Sequence, residues 1–139
     1  MVSENSEDDY RVSKDLLADA LNTLKTHEMA GKPDCEVRPS KMVRETLKIL
    51  QSKGYIGDFE YIDEGTTGHF RVKLVGRINQ CGAIKPRFPA KKTEWADWEH
   101  KFIPGVGFGL LIVSTPQGLM TNEEAKSTQT GGRLIAFVY

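Results

Sequence analysis

Catalysis needs a nucleophile, an acid or a base held in a fixed relation to a second group. The chain offers His27, His69 and His100, together with Cys35 and Cys81. None of them stands in a nucleophile motif, and no CxxC or HxxxH spacing is present to hold a metal. Each histidine is expected in a structural or solvent-facing role. His27 falls near the end of a helix, where an imidazolium suits the carbonyl dipole, His69 faces out of a hairpin, and His100 lies among charges. A hydrolase pairing Cys81 with His69 or His100 is the enzymatic reading these residues offer, and it has no motif behind it. The expectation is no enzyme, no cofactor, no metal, no small-molecule substrate, and two reduced structural thiols.

Two other patterns suit a polyanion. Residues 65–92 contain Arg71, Lys73, Arg77, Lys85, Arg87, Lys91 and Lys92 and not one carboxylate, which in sequence makes a local positive field. The plain alternative is a solvated basic face. The stretch from Ser114 to Ala125 brings hydroxyls, an amide and a glycine next to the start of a helix. Ser114, Thr115 and Gln117 can donate to and accept from nucleic-acid groups, and Gly118 lets a backbone come close. Exposed amides at a Thr121 helix cap would favour an anion. Short polar side chains of this kind reach the shallow minor groove of A-form RNA without a recognition helix. The plain alternative here is an ordinary strand–turn–helix connection. Gly105–Val106–Gly107–Phe108–Gly109 looks like a phosphate loop, but it precedes a strand instead of following one, so it reads as tight turning.

The elements that must position these groups follow from periodicity. Residues 1–12 form an acidic tail, expected to be mobile, with Glu4, Glu7, Asp8 and Asp9. Ser13 is expected to cap a helix carrying Leu16, Leu17, Ala20, Leu21 and Leu24 and ending near Gly31. Cys35–Arg38 reads as a strand, and Ser40 opens a second helix with Val43, Leu47 and Leu50 on one face, closed at Gly54. Tyr55–Ile62 and His69–Gly76 read as paired strands around the turn 64–68. A boundary near Ile78 divides the chain into domains 13–78 and 79–139. Beyond it comes an extended basic stretch punctuated by Pro86 and Pro89. A short helix follows, with Thr93, Trp95, Trp98 and Phe102 on it and its end at Pro104, and Trp95 and Trp98 are expected in the core. A strand at Phe108–Val113, a turn at Ser114–Gly118, a brief helix from Thr121 and a last strand at Leu134–Val138 complete the reading. The fold class is α+β: two small contacting α/β domains, the first α-β-α-β-β and the second mainly β with short helices.

Composition agrees with an ordinary globular protein: 139 residues, 39% apolar and 27% charged. No apolar run reaches the roughly 20 residues of a membrane span. The acidic amino terminus is unlike a secretory signal, and a cytoplasmic protein is expected. Nineteen cations balance nineteen carboxylates overall, but four of the acids precede Tyr10, so the remainder has a net charge of +4.

The string Ser114-Thr115-Pro116-Gln117-Gly118-Leu119-Met120-Thr121, with Glu124-Ala125 and Gly131-Gly132 after it, resembles the signature of the small-subunit ribosomal protein eight family. LADALN (17–22), RPSK (38–41), GYIGDFEYID (54–63) and GRINQCGAIKPRF (76–88) are similar to the archaeal and eukaryotic branch, called fifteen-A in eukaryotes. Together the matches run from about Ser13 to Tyr139. The resemblance implies a non-enzymatic protein that binds the central domain of small-subunit ribosomal RNA early in assembly, beside neighbouring small-subunit ribosomal proteins. It implies that the Ser114–Met120 loop is the principal RNA contact, with Gly131 and Gly132 lining the same surface. Arg87, Lys85, Lys91 and Lys92 would pair with phosphate, and Asn22, Lys25, Ser40 and Lys41 would form a second contact surface. Pro116 and Arg133 depart from bacterial relatives, where a small residue and a glutamate are typical. A protein-interaction module docking through the apolar strands and the Trp95/Trp98 stripe is the non-RNA alternative.

Overall fold

A computed structural model describes residues 15–105 and 107–139; the expectations placed on residues 1–12 and on Ser13 lie outside them. Helix α1 (Leu16–Met29) is capped by Asp15, whose carboxylate accepts from the Ala18 amide at 3.0 Å. Its Leu17, Ala20, Leu21 and Leu24 are buried, as the 3–4 spacing dictates. β1 (Asp34–Val37) then leads to α2 (Lys41–Ser52), where Ser40 caps the helix through the Val43 amide at 3.1 Å. β2 (Ile56–Glu64) and β3 (Thr67–Leu74) form a hairpin whose turn is only Gly65–Thr66, tighter than the five-residue turn expected. These strands make an antiparallel sheet in the order β1–β3–β2.

The second half is built on β8. β4 (Cys81–Ala83) and β5 (Pro89–Ala90) pair with successive stretches of one edge of β8 (Gly132–Val138). β6 (Leu110–Thr115) pairs with its other edge, and β7 (Gly118–Thr121) lies beyond β6. α3 (Trp95–Phe102) and α4 (Asn122–Ser127) complete an α+β arrangement with antiparallel sheets. α3 starts two residues after Thr93, with no side-chain bond at its cap. Strands β4, β5 and β7 are too short to show a period of two, and their pairing comes from tertiary context.

β6 is buried on both faces, and its alternation sorts the core. Leu110 and Ile112 join α1, α2 and the first sheet in one cluster with Ile78, Cys81 and Ile135. Leu111 and Val113 pack into a second cluster with Trp95, Leu134 and Ala125 under α3 and α4. Gly107–Gly109 lead directly into β6, and a Cβ on Gly109 would lie 2.7 Å from both the Val138 carbonyl oxygen and the Tyr139 Cβ. Backbone proximity, not nucleotide binding, accounts for that glycine.

Candidate nucleic-acid interface

The Ser114–Gly118 stretch is a β-hairpin rather than a loop. Ser114 and Thr115 end β6, Gly118 begins β7, and Pro116–Gln117 alone make the turn. Proline fixes φ at the first turn position, as a tight turn requires. The Thr115 hydroxyl accepts from the Gln117 amide at 3.1 Å and donates to the Gly118 carbonyl at 3.0 Å, so it braces the turn from inside. Pro116, Gln117 and Gly118 are exposed and Ser114 is half-buried.

Strand register carries that hairpin to the basic residues. Pro89, Arg133, Ser114 and Leu119 form one row across β5, β8, β6 and β7. Directly opposed residues point to the same face, so the exposed Arg133 stands beside Ser114. Arg133 also reaches along the sheet and donates to the Arg87 carbonyl at 3.2 Å. Gly132 sits where a Cβ would lie 2.0 Å from the Ser114 carbonyl oxygen, and one on Gly131 would lie 2.8 Å from the Ala90 oxygen and 3.2 Å from the Lys92 nitrogen. The strands therefore meet only because these two residues lack side chains. One end of the sheet thus gathers Ser114, Pro116, Gln117, Gly118, Gly131, Gly132 and the exposed Lys91 and Lys92.

The connection 84–88 brings this end to the two helix starts. Lys85 Nζ lies 2.8 Å from Asp15 Oδ2 at the α1 cap, and Arg87 Nη2 lies 3.6 Å from Met42 Sδ in the first turn of α2. The Lys85–Pro86 peptide is cis. Ser40 and the exposed Lys41 therefore stand next to Arg87, although the Ser40 hydroxyl already accepts the cap bond. Burial pushes the Asp15 carboxyl up, but Lys85 and the Ala18 amide outweigh it and hold the group below 3.8.

Several expected groups sit elsewhere. Asn22 is exposed two turns along α1 from Asp15, and Lys25 is one turn further. Met120 points to the opposite face and packs on the second cluster. Two of the amides expected to be exposed at the Thr121 cap, those of Thr121 and Glu124, are occupied. Thr121 is buried, its hydroxyl accepts from the Glu124 amide, its own amide donates to Glu124 Oε1, and Glu123 and Glu124 make the first turn acidic. That helix start repels an anion.

The basic window is also less uniform than its sequence. Arg71 pairs with Glu36 at 3.5 Å and Lys73 lies opposite Asp34, both in the first sheet. Lys85 has Asp15. His69 does not face out freely: its side chain is 16% exposed, 3.1 Å from Glu36 and 3.8 Å from Glu64. Arg133, which joins the arginine to the hairpin, was not singled out as a contact, because only strand pairing places it there.

The catalytic alternative meets a chemical obstacle. Cys81 is buried, its thiol donates to the Leu21 carbonyl at 3.2 Å, and burial pushes its pKa up to about 11. A thiol held that far from ionisation is a poor nucleophile. Trp95 is core, its indole N–H donating to the Thr130 carbonyl at 3.0 Å. Trp98 is half-buried and packs against the same cluster from its edge, with Phe88 at 5.0 Å and Phe102 at 6.3 Å between ring centres.

A family model described as "Ribosomal protein S8" matches residues 15–139. The "Small ribosomal subunit protein uS8" of Methanococcoides burtonii is 48% identical over 126 residues, covering 90% of this chain and 97% of that protein. Family members are structural ribosomal proteins and not enzymes. A match over all the described residues, together with a relative this similar over nearly its whole length, establishes the assignment: the chain belongs to the ribosomal protein S8 family.

Proposed function

We propose that the chain is a structural component of the small ribosomal subunit in the cytoplasm, binding the central domain of small-subunit ribosomal RNA and supporting its assembly. The single observation that carries this reading is Arg133, which stands opposite Ser114 in the sheet and bonds to the Arg87 carbonyl. It puts cations and a polar hairpin on one continuous surface. In this reading Arg87, Arg133, Lys91 and Lys92 pair with phosphates and supply affinity, while Ser114 and Gln117 supply register. Gly131 and Gly132 let RNA approach the sheet end, and Thr115, Met120 and Thr121 shape the hairpin from inside. Lys85 contributes through its pair with Asp15. Asn22, Lys25, Ser40 and Lys41 form a second contact surface along the helices, and neighbouring small-subunit proteins complete the surroundings. The same reading divides the chain near Ile78 into parts 13–78 and 79–139, supported by a separate sheet in each.

Replacing Ser114 and Gln117 by alanine tests the register. Preference for a central-domain RNA fragment over random RNA of equal length should fall by about 1–3 kcal/mol in total, as for directional contacts generally. Equal losses on both RNAs would contradict a reading role for the hairpin. Native protein should also travel with the small subunit in a sucrose gradient and leave it only at high ionic strength.

A further inference from the structure

The longest strand of the fold is paired on one side only. Among the described residues β2 pairs with β3 and with nothing else, so it forms an edge of the first sheet. An open edge is a row of unsatisfied N–H and C=O groups, which proteins commonly guard with lysine, proline or a bulge. β2 has a register shift between Ile56 and Phe59, but beyond it six residues, Phe59–Glu64, run in unbroken register with β3. No cation guards them. The charges on β2 are Asp58, Glu60, Asp63 and Glu64, all exposed.

The side chains beside this edge are set for a partner. Tyr61 is 54% exposed. Its ring covers Gly68, where a Cβ would lie 2.1 Å from the tyrosine oxygen, and it meets Phe70 edge-on at 5.8 Å between centres. The ring cannot fold away into the sheet. On the outer face a trough of about 300 Å³ runs across all three strands, lined by Asp34, Asp58 and Glu60, with Arg71 and Lys73 on the central strand. Asp58 accepts from Gln51 of α2 at 3.2 Å, which holds the carboxylate beside the edge.

We propose that the β2 edge receives an extended lysine- or arginine-rich segment of a neighbouring ribosomal protein by strand addition. The added strand takes up the free backbone groups of Phe59–Glu64; the cations on one of its faces meet Glu60 and Glu64, and on its other face, the one that Tyr61 and Asp63 share, an apolar side chain or a guanidinium lies on Tyr61. Charge decides the occupant, and this step rests on the ribosomal reading above. In an RNA-rich particle an anionic edge is repelled by phosphate and attracted to a basic protein segment. Arg87, Arg133, Lys91 and Lys92 belong to the second half of the chain, so the two charge regions address different partners.

The test uses the full chain and an eight-residue peptide of alternating arginine and valine. Binding should slow hydrogen exchange of β2 amides at least tenfold and shift the Tyr61 resonances. A peptide of equal charge with proline in place of valine cannot add a strand, and it should bind at least tenfold more weakly. The variant Glu60→Gln/Asp63→Asn/Glu64→Gln should lose the peptide by at least tenfold and keep its affinity for the RNA fragment, which separates failure here from failure of the RNA reading. In assembled subunits a photocrosslinker at position 61 should capture a basic protein segment. Equal binding of the proline peptide, unprotected β2 amides, or crosslinks to RNA alone would each overturn the proposal.

Discussion

At the scale of single residues the decisive effects are pairings that sequence distance hides. Asp15 and Lys85 are seventy positions apart yet lie 2.8 Å from each other. Because the Asp15 carboxyl is held below its ordinary value, folding favours its ionised form. The stability this contributes is present above the unfolded pKa and is lost as pH falls through the lower folded value. Asp15→Asn keeps the cap and removes the ion pair, so denaturant titrations between about pH 2 and 5 should show a flatter pH dependence than wild type. The two thiols have the opposite sign. Burial raises Cys35 and Cys81 from 9.0 to about 11, so their contribution is present below the unfolded thiol pKa and is lost as pH rises toward 11. Native protein at pH 8 should react with a thiol reagent far more slowly than unfolded protein, and equal rates would contradict the burial. That both cysteines are structural was legible from spacing alone. That Arg71 and Lys85 have acidic neighbours was not, since cross-strand and cap contacts have no linear signature.

Elements show the same division between local and tertiary information. Helices α1 and α2 were readable from apolar spacing, and the Ser40 cap and the Thr121 capping box from hydroxyls at the right offset. β4, β5 and β7 were not readable, because strands of two to four residues exist only through β8 and β6. The hairpin was mistaken for a loop for that reason: Ser114 and Thr115 look like turn residues but are strand residues with partners. Thr121 gives a clean discrimination. Thr121→Ala should cost about 1 kcal/mol of stability, the usual value of a lost cap, with RNA affinity unchanged. A weakened RNA complex at unchanged stability would restore the exposed-amide expectation. Gly132→Ala drives a methyl group into the Ser114 carbonyl. It should cost roughly 3 kcal/mol or more in chemical denaturation, at the upper end for single substitutions. A neutral result would mean that β6 and β8 are not as close as the register requires.

For the whole molecule, zero net charge conceals an uneven distribution. The end of the second sheet exposes Arg87, Lys91, Lys92 and Arg133, whereas β2 exposes four carboxylates and no cation. The basic window of the sequence is divided in the fold: Arg71 and Lys73 belong to the first sheet, opposite Glu36 and Asp34, and Lys85 pairs with Asp15. The central claim is that Arg87 and Arg133 belong to one phosphate-pairing surface. It is tested most directly by titrating a central-domain RNA fragment with full-length protein, Arg87→Gln and Arg133→Gln across a range of salt concentrations. Affinity should fall steeply with salt, and each substitution should flatten the logarithmic slope by about 0.7–0.9, the value of one phosphate contact. A slope near zero for the unaltered protein, or one left unchanged by both substitutions, would contradict it.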